Sequence, residues 1–346
     1  MSKKTERVPQ EQLLNEYLEE NGLSEEDLVK NNHSIFYFMT ATNSNVNGDP
    51  NNDNKPRKDN AIGKGLSSEF RFKRNIRDYM KEEKGDNILR PRDMKVAKVS
   101  EKIEKIHGDT KMSNELYKTL LNYYDVRLYG MMAALKSREK DCEIPKNFIG
   151  PMTVEQGVSL NKVQIKTQAN TNTLAINNTE GEKSGNMGRK HMVRHGLYAY
   201  DSRIAANSGK ITGLLNKDIV DLDEAVLFGL NYRPTSSKKG LESRLYIRVE
   251  LKVSNRFLTR QATKCKLITD KPQEKIESIE DYKVNVDNII NQFIEAKDFI
   301  EKINIYHDRE LDLDSKYFED NAFVEYLKKE NFPVNEIKKW DINGES

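Results

Sequence analysis

Between His33 and Thr42 the chain reads HSIFYFMTAT, a run enriched in aromatic residues and bounded by polar sequence on both sides. That pattern predicts a buried strand. Further strand-like stretches follow. FIGPMTVEQGVSLNKVQIKTQ (148–168) alternates well enough for a strand pair, and RKHMVRHGLYAY (189–200) resumes strand character. SRLYIRVELK (243–252) alternates apolar and basic positions, and ILRPRDMKVAKVS (88–100) reads as a strand with basic flanks. Helical patterns lie between them at 60–83, 113–136 and 215–230. Strands alternating with helices suit an α+β sandwich, for which a ferredoxin-like or RNA-recognition-motif sheet is the commonest small solution, here with large insertions.

Directly after the first strand comes NSNVNGDPNNDNKPR (43–57). Asn43, Asn45, Asn47 and Gly48 imitate the start of a calcium loop, but that loop needs an acid first and a bidentate Glu twelfth, and the chain has Asn43 and Asn54 there. No Gly-Lys-Ser/Thr follows to make a phosphate-binding Walker loop. What remains is a loop shaped by Asx-turns and two prolines, whose amides are available to a polar partner.

At 346 residues the chain can bury a real core without a metal or disulfide staple. Cys142 and Cys265 form no pair motif, which fits a reducing compartment. No apolar stretch approaches the roughly 20 residues of a membrane span, and the start MSKKTERVPQEQ lacks the apolar segment of a secretory signal, so a cytoplasmic location is expected.

The net charge of +2 hides an asymmetry. Residues 1–30 carry four Lys/Arg against eight Asp/Glu, residues 31–210 carry 31 against 21, and residues 211–346 carry 22 against 26. The basic middle points to a polyanionic partner. Its cations gather in NKPRK (54–58), KRNIR (73–77), GRKHMVRH (188–195) and TSSKKG (235–240). On the predicted helix at 60–83, Phe72, Ile76, Tyr79 and Met80 share an arc of about 100°, with Lys73, Arg74 and Arg77 on the neighbouring arc. The first arc is core; the second is a basic stripe along its edge. Residues 169–188 are polar and too long for a tight turn, and Leu174, Ile176 and Met187 within them either wedge between bases or pin the segment to the core.

Catalytic groups are scarce. His191 and His195, four apart on a strand, stand about 13 Å from each other, too far to share a metal. Asp49, Asp53 and Asp59 are candidate Mg²⁺ ligands for phosphodiester hydrolysis, yet Lys55, Arg57 and Lys58 interleave them. No cofactor, metal or catalytic residue is expected, and the alternative is a metal-dependent endoribonuclease using Asp49 or Asp53.

The chain resembles the backbone subunit of type I CRISPR effector complexes, the Cas7 family, most closely its subtype I-B branch. The resemblance runs from about Ser34 to Lys252 through NVNGDPNNDNKPR, FRFKRNIRDYM, YYDVRLYG, IGPMTVEQGVSL, GRKHMVRHGLYAY, TGLLNKDI and SSKKGLESRLYIRVELK. It departs from the family at Met152-Thr153 and Val158-Ser159, where a Val-Gln pair and an Arg are usual. Residues 1–30 read as an acidic helical extension outside the main fold, which is not a feature associated with the family. The resemblance implies an RNA-recognition-motif palm with helical fingers (31–268) and a hairpin thumb at about 160–195. A mostly helical C-terminal region (269–346) follows. It implies copies stacked along one CRISPR RNA, which pairs with target DNA, together with a large subunit and a capping subunit. By motif, Asn45, Asn47 and Arg57 line the palm beside the RNA. Lys73, Arg74 and Arg77 face its phosphates, and Arg127 supports the same groove. Lys183, Arg189, Lys190 and Arg194 lie near the backbone, with Met187 as a wedge. Ser236, Ser237, Lys238 and Lys239 close the groove on the other side.

Overall fold

The run at 33–42 forms the middle of a sheet. In the computed structural model, residues 9–92, 98–108, 111–133, 135–139, 142, 144–172, 186–230, 232 and 235–338 are described. Strand β1 spans Asn32–Ser44. It lies antiparallel between β6 (Asn186–Ile204) and β7 (Leu241–Leu251), with Tyr37 opposite Tyr200 on one side and Tyr246 on the other. Beyond β7 come β8 (Ile300–His307) and then β9 (Val334–Glu336). Beyond β6 come β4 (Gly157–Lys162) and β2 (Lys64–Ser67), while β3 (Met152–Val154) and β5 (Ile165–Asn172) also pair with β6. The described residues thus hold a nine-stranded mixed sheet.

Both faces of β1 are covered, which is why its middle, Ile35–Met39, is apolar without a break instead of alternating. Ile35, Tyr37, Met39 and Ala41 face helices α2 (Glu69–Glu82) and α7 (Asn216–Phe228), where Phe72, Ile76, Tyr79, Met80, Leu222 and Val226 meet them. Tyr37 packs edge-on against Phe72 with ring centroids 5.7 Å apart. Phe36 and Phe38 face the opposite way, toward Phe293 of α8 (Asp287–Glu295) and Phe323 and Leu327 of α9 (Phe323–Lys329). A third, helical core joins α1 (Gln10–Glu20), α3 (Lys98–His107) and α4 (Asn114–Leu121), with Ile211 of α6 (Ala206–Thr212) packed against it. No helix among the described residues is long and apolar enough to cross a membrane.

The mixed α+β class holds, and several local expectations do not. The predicted helix at 60–83 splits. Gly63 takes φ +78, and a Cβ at Gly65 would collide with the Tyr198 hydroxyl, so this stretch passes as strand β2. Ser68 then caps α2 by accepting the Arg71 N–H at 3.3 Å. The helix at 113–136 breaks into α4 and α5 (Tyr124–Tyr129), and α5 ends at Gly130 with φ +71. The strand expected at 88–100 is instead a strap at Ile88–Pro91 followed by α3 from Lys98. Residues 1–30 were expected outside the main fold, but Leu13, Leu14, Tyr17 and Leu18 are buried against α4. The tail, expected mostly helical, supplies β8 and β9 to the sheet beside its helices.

Three histidines are folded into this scaffold as neutral groups. Burial, followed by the Arg248 charge, holds His33 well below its ordinary value, and burial lowers His307. Burial pushes His195 down to about 4; its ring bonds the Thr42 hydroxyl at 2.8 Å and the Tyr282 hydroxyl at 3.0 Å. The unfolded chain takes up these protons near pH 6.5 while the folded chain does not, so stability falls as pH drops from about 6.5 toward 4. For His195 alone the loss at pH 5 is about 2 kcal/mol. Denaturant midpoints at pH 7 and pH 5 test this: equal midpoints would refute it, and His195→Gln is expected to narrow the gap.

Candidate nucleic-acid interface

The loop after β1 is stitched by its own polar groups. Asn43, Asp53 and Asn54 take positive φ, a conformation that Asn and Asp tolerate better than other side-chain-bearing residues. The Asp49 side chain accepts the Asn51 N–H at 3.2 Å, and a short ladder pairs Gly48–Asp49 with Lys55–Pro56. The Asn45 amide donates to the Asn54 carbonyl at 2.6 Å, and the Asn47 side chain accepts the Ser68 hydroxyl at 3.3 Å. Arg57 pairs with Asp49 at 3.3 Å. These two amides shape the loop: Asn45 is buried, and its Oδ1 and Arg57 Nε are the loop's buried side-chain atoms without a partner among the described residues. Asp49, the candidate acid, is engaged by Arg57. The described residues contain no cluster of three His, Cys, Asp or Glu able to hold a metal.

The basic stripe is present on α2. Lys73 and Arg77 lie over the Tyr129 ring, at 5.1 and 4.7 Å from its centroid. Arg77 also donates to Asp125 at 3.0 Å, and Asp125 accepts the backbone N–H groups of Leu89 and Arg90 at 2.7 and 3.1 Å. That carboxylate is what holds the 88–91 strap, in place of a sheet neighbour. Arg74 donates to the Arg90 carbonyl at 3.0 Å. Lys73, Arg74 and Arg90 all have lowered pKa values, from burial first and the Arg77 charge second. Arg74, Arg77 and Arg90 therefore gather near Asp125, which already serves Arg77, while Asp78 also faces Arg74 and Glu69 faces Lys73.

A second group of cations adjoins the first; its Arg71 and Arg92 escaped the sequence reading, whereas Lys190 and Lys238 did not. Arg92 forks onto the Oδ2 atom of Asp78, its Nε at 2.9 Å. Arg71 has a buried Nε with no partner among the described residues, and burial together with the Arg92 charge lowers its pKa. The loop 235–240 lies opposite. Ser237 O accepts Asn45 N at 2.6 Å, Gly240 N donates to Ser44 Oγ at 2.9 Å, and a Cβ at Gly240 would collide with the Thr42 carbonyl. Lys238 on this loop is pushed down to about 8 by burial and by Arg71 and Arg92. From β6, Lys190 donates to Ser236 at 2.8 Å. A sequence signal for Arg71 existed: it stands seven residues before Asp78, on the same helix face.

The remaining candidates divide. Arg189 and Lys239 are exposed. The hairpin of β5 and β6 pairs from Val193 with Ile165 out to Asn186 with Asn172, and Met187 sits on it opposite Thr171 in the backbone register. Lys183, with Leu174 and Ile176, lies outside the described residues. Arg194 pairs with Glu277. Arg127 does not reach a groove: it is buried, and its guanidinium grips both Asp218 oxygens at 2.7 Å and the Leu121 carbonyl at 2.8 Å.

The family model for CRISPR-associated protein Cas7 matches residues 31–287. A CRISPR-associated protein Cas7 from Haloferax volcanii is 25% identical over 328 residues, covering 89% of this chain and 96% of that protein. Among solved structures, a chain of a "CRISPR RNA-guided surveillance complex, pre-nicking" superposes with a TM-score of 0.50 at 14% identity, covering 87% of this chain and 100% of that one, a likeness of fold. Because the family model covers well over half of the chain and takes in the whole cationic face, the chain belongs to the Cas7 family of CRISPR-associated proteins.

Proposed function

We propose that the chain is a non-catalytic CRISPR-RNA-binding backbone subunit of a type I effector complex. The observation that carries this reading is the convergence of α2, the 88–92 strap, the 235–240 loop and β6 on one surface whose cations outnumber the acids bonded to them. Such a surface recognises a phosphate backbone and leaves sequence to base pairing. The relative from Haloferax volcanii is CRISPR-associated, and the solved neighbour belongs to an RNA-guided complex.

In this reading the central sheet is a recognition-motif palm, residues 31–268, and the hairpin at about 160–195 is the thumb, with Met187 as its wedge. Residues 1–30 extend the fingers and 269–346 back the sheet. Copies stack along the guide in the cytoplasm, beside a large subunit and a capping subunit, and present it to target DNA.

Expressed with its CRISPR array, the protein is expected to co-purify with a discrete RNA carrying repeat-derived ends, protected at uniform intervals. A monomer that binds any single strand without periodic protection would overturn the proposal. Incubation with guide-matched RNA and Mg²⁺ is expected to leave that RNA intact. Cleavage abolished by Asp49→Ala or Asp53→Ala would establish the endoribonuclease instead.

A further inference from the structure

We infer that Phe70, on the outer face of α2, is a stacking platform for one unpaired base of the bound strand. The inference rests on the strand-binding reading above and adds a contact that cations do not make, one to a base and not to the backbone.

The helix opens with two phenylalanines two positions apart, in the stretch FRF at 70–72. Two positions turn a helix by about 200°, so one ring enters the core and the other is turned away from it. Phe72 is the inward one, with ring centroids 5.7 Å from Tyr37 and 5.3 Å from Tyr200. Phe70 stands in solvent, 73% exposed, and among the described residues no aromatic ring or cation lies against it. Lys73, Arg74 and Arg77 follow it at three, four and seven positions, each within about 60° of it on the same face. A bare apolar ring thus stands one turn from a row of cations, a setting complementary to a polyanion and not to an apolar protein segment. The ring itself offers nothing to a phosphate. It offers a π-face to any base, whatever the sequence. The other aromatic of the stripe, Tyr129, is already engaged by Lys73 and Arg77, at 5.1 and 4.7 Å from its centroid. Phe70 is also held steady, since it sits in the first turn of a helix whose cap, Ser68, accepts the Arg71 N–H at 3.3 Å.

The test uses the full-length protein and a 20-nucleotide single-stranded RNA of mixed sequence. Phe70→Ala is expected to weaken binding about tenfold and to leave the slope of log affinity against log salt unchanged, because a ring displaces no counterions. Unchanged affinity would overturn the inference; so would a flattened slope, which would mean that the ring only places the cations. Phe70→Trp is expected to keep the affinity. Combined with Trp340→Phe, which removes the single native tryptophan, it makes the indole a reporter that RNA quenches on stacking. Inorganic polyphosphate, a chain of charges without bases, is expected to bind and leave that fluorescence unchanged. Binding of RNA without quenching, or equal quenching by polyphosphate, would overturn the stack. Without RNA, Phe70→Ala is expected to melt within about 1 °C of the wild type, whereas a fall of several degrees would make Phe70 a structural residue. Sedimentation of the RNA-free variant is expected to match the wild type; loss of an RNA-free oligomer would assign the ring to a second copy of the chain instead. If the wild type binds no RNA, the strand-binding reading falls as well. If it binds and Phe70→Ala matches it, only the stack falls.

Discussion

Asp218→Ala is expected to cost about 3–5 kcal/mol of stability, with Arg127→Ala close behind. The two side chains form a buried fork, both oxygens of Asp218 taking Arg127 nitrogens at 2.7 Å. Burial works against the guanidinium charge, but the Asp218 hydrogen bonds outweigh it and raise its pKa. Deleting either partner strands the other charge in the interior. Asp218 carries a second duty, since its Oδ2 accepts the Leu215 N–H at 3.0 Å at the start of α7. Its loss therefore frays the helix that covers β1, which is why the acid is expected to matter more than the base. Arg127→Met combined with Asp218→Leu is expected to lose less than the two single variants summed, because a paired removal leaves no orphan charge. Chemical denaturation of the RNA-free protein measures all three. An Arg127→Ala variant of wild-type stability that has merely lost RNA affinity would refute this account and return Arg127 to the groove.

Removing Lys73, Arg74, Lys190 and Lys239 together is expected to leave the fold intact and to flatten the salt dependence of RNA binding. Each phosphate contact on a single strand contributes about 0.7 to the log–log slope, so four contacts contribute roughly 3. Between 50 and 200 mM salt the wild type should therefore lose about fifty-fold more affinity than the variant. The choice of four follows from the pairing. Lys239 is exposed, Lys190 bonds a serine hydroxyl, Arg74 a backbone carbonyl, and Lys73 an aromatic face, so no carboxylate is orphaned when they go. Arg77 is kept because Asp125, which ties the 88–91 strap, depends on it. Titrations at several salt concentrations decide the matter, and an unchanged slope would reduce the stripe to an ordinary solvated face.

Much of the scaffold was legible in advance. The strand at 33–42, the inward face of α2 and the helix at 216–228 follow from apolar periodicity, a local property of the chain. Strand β2 was not legible. Gly63 and Gly65 weaken a helix, but only the Tyr198 hydroxyl against Gly65 explains why that segment lies flat on its neighbour. The strap at 88–91 was read as part of a strand with basic flanks, yet the backbone donors of Leu89 and Arg90 go to the Asp125 carboxylate.

The sequence by itself determined which residues are apolar, where the cations gather, and which family the motifs resemble. Only the tertiary structure decided which cations are free to bind. Arg127 and Asp218 are 91 positions apart, and Arg194 finds its acid 83 positions away in Glu277, so composition cannot tell a committed charge from an available one. The same holds for Lys238, whose place is set by a loop pinned to the end of β1 by backbone hydrogen bonds. Hydrophobic patterning is written in local spacing, whereas the balance of charge at a site is set by what folding brings within a few ångströms.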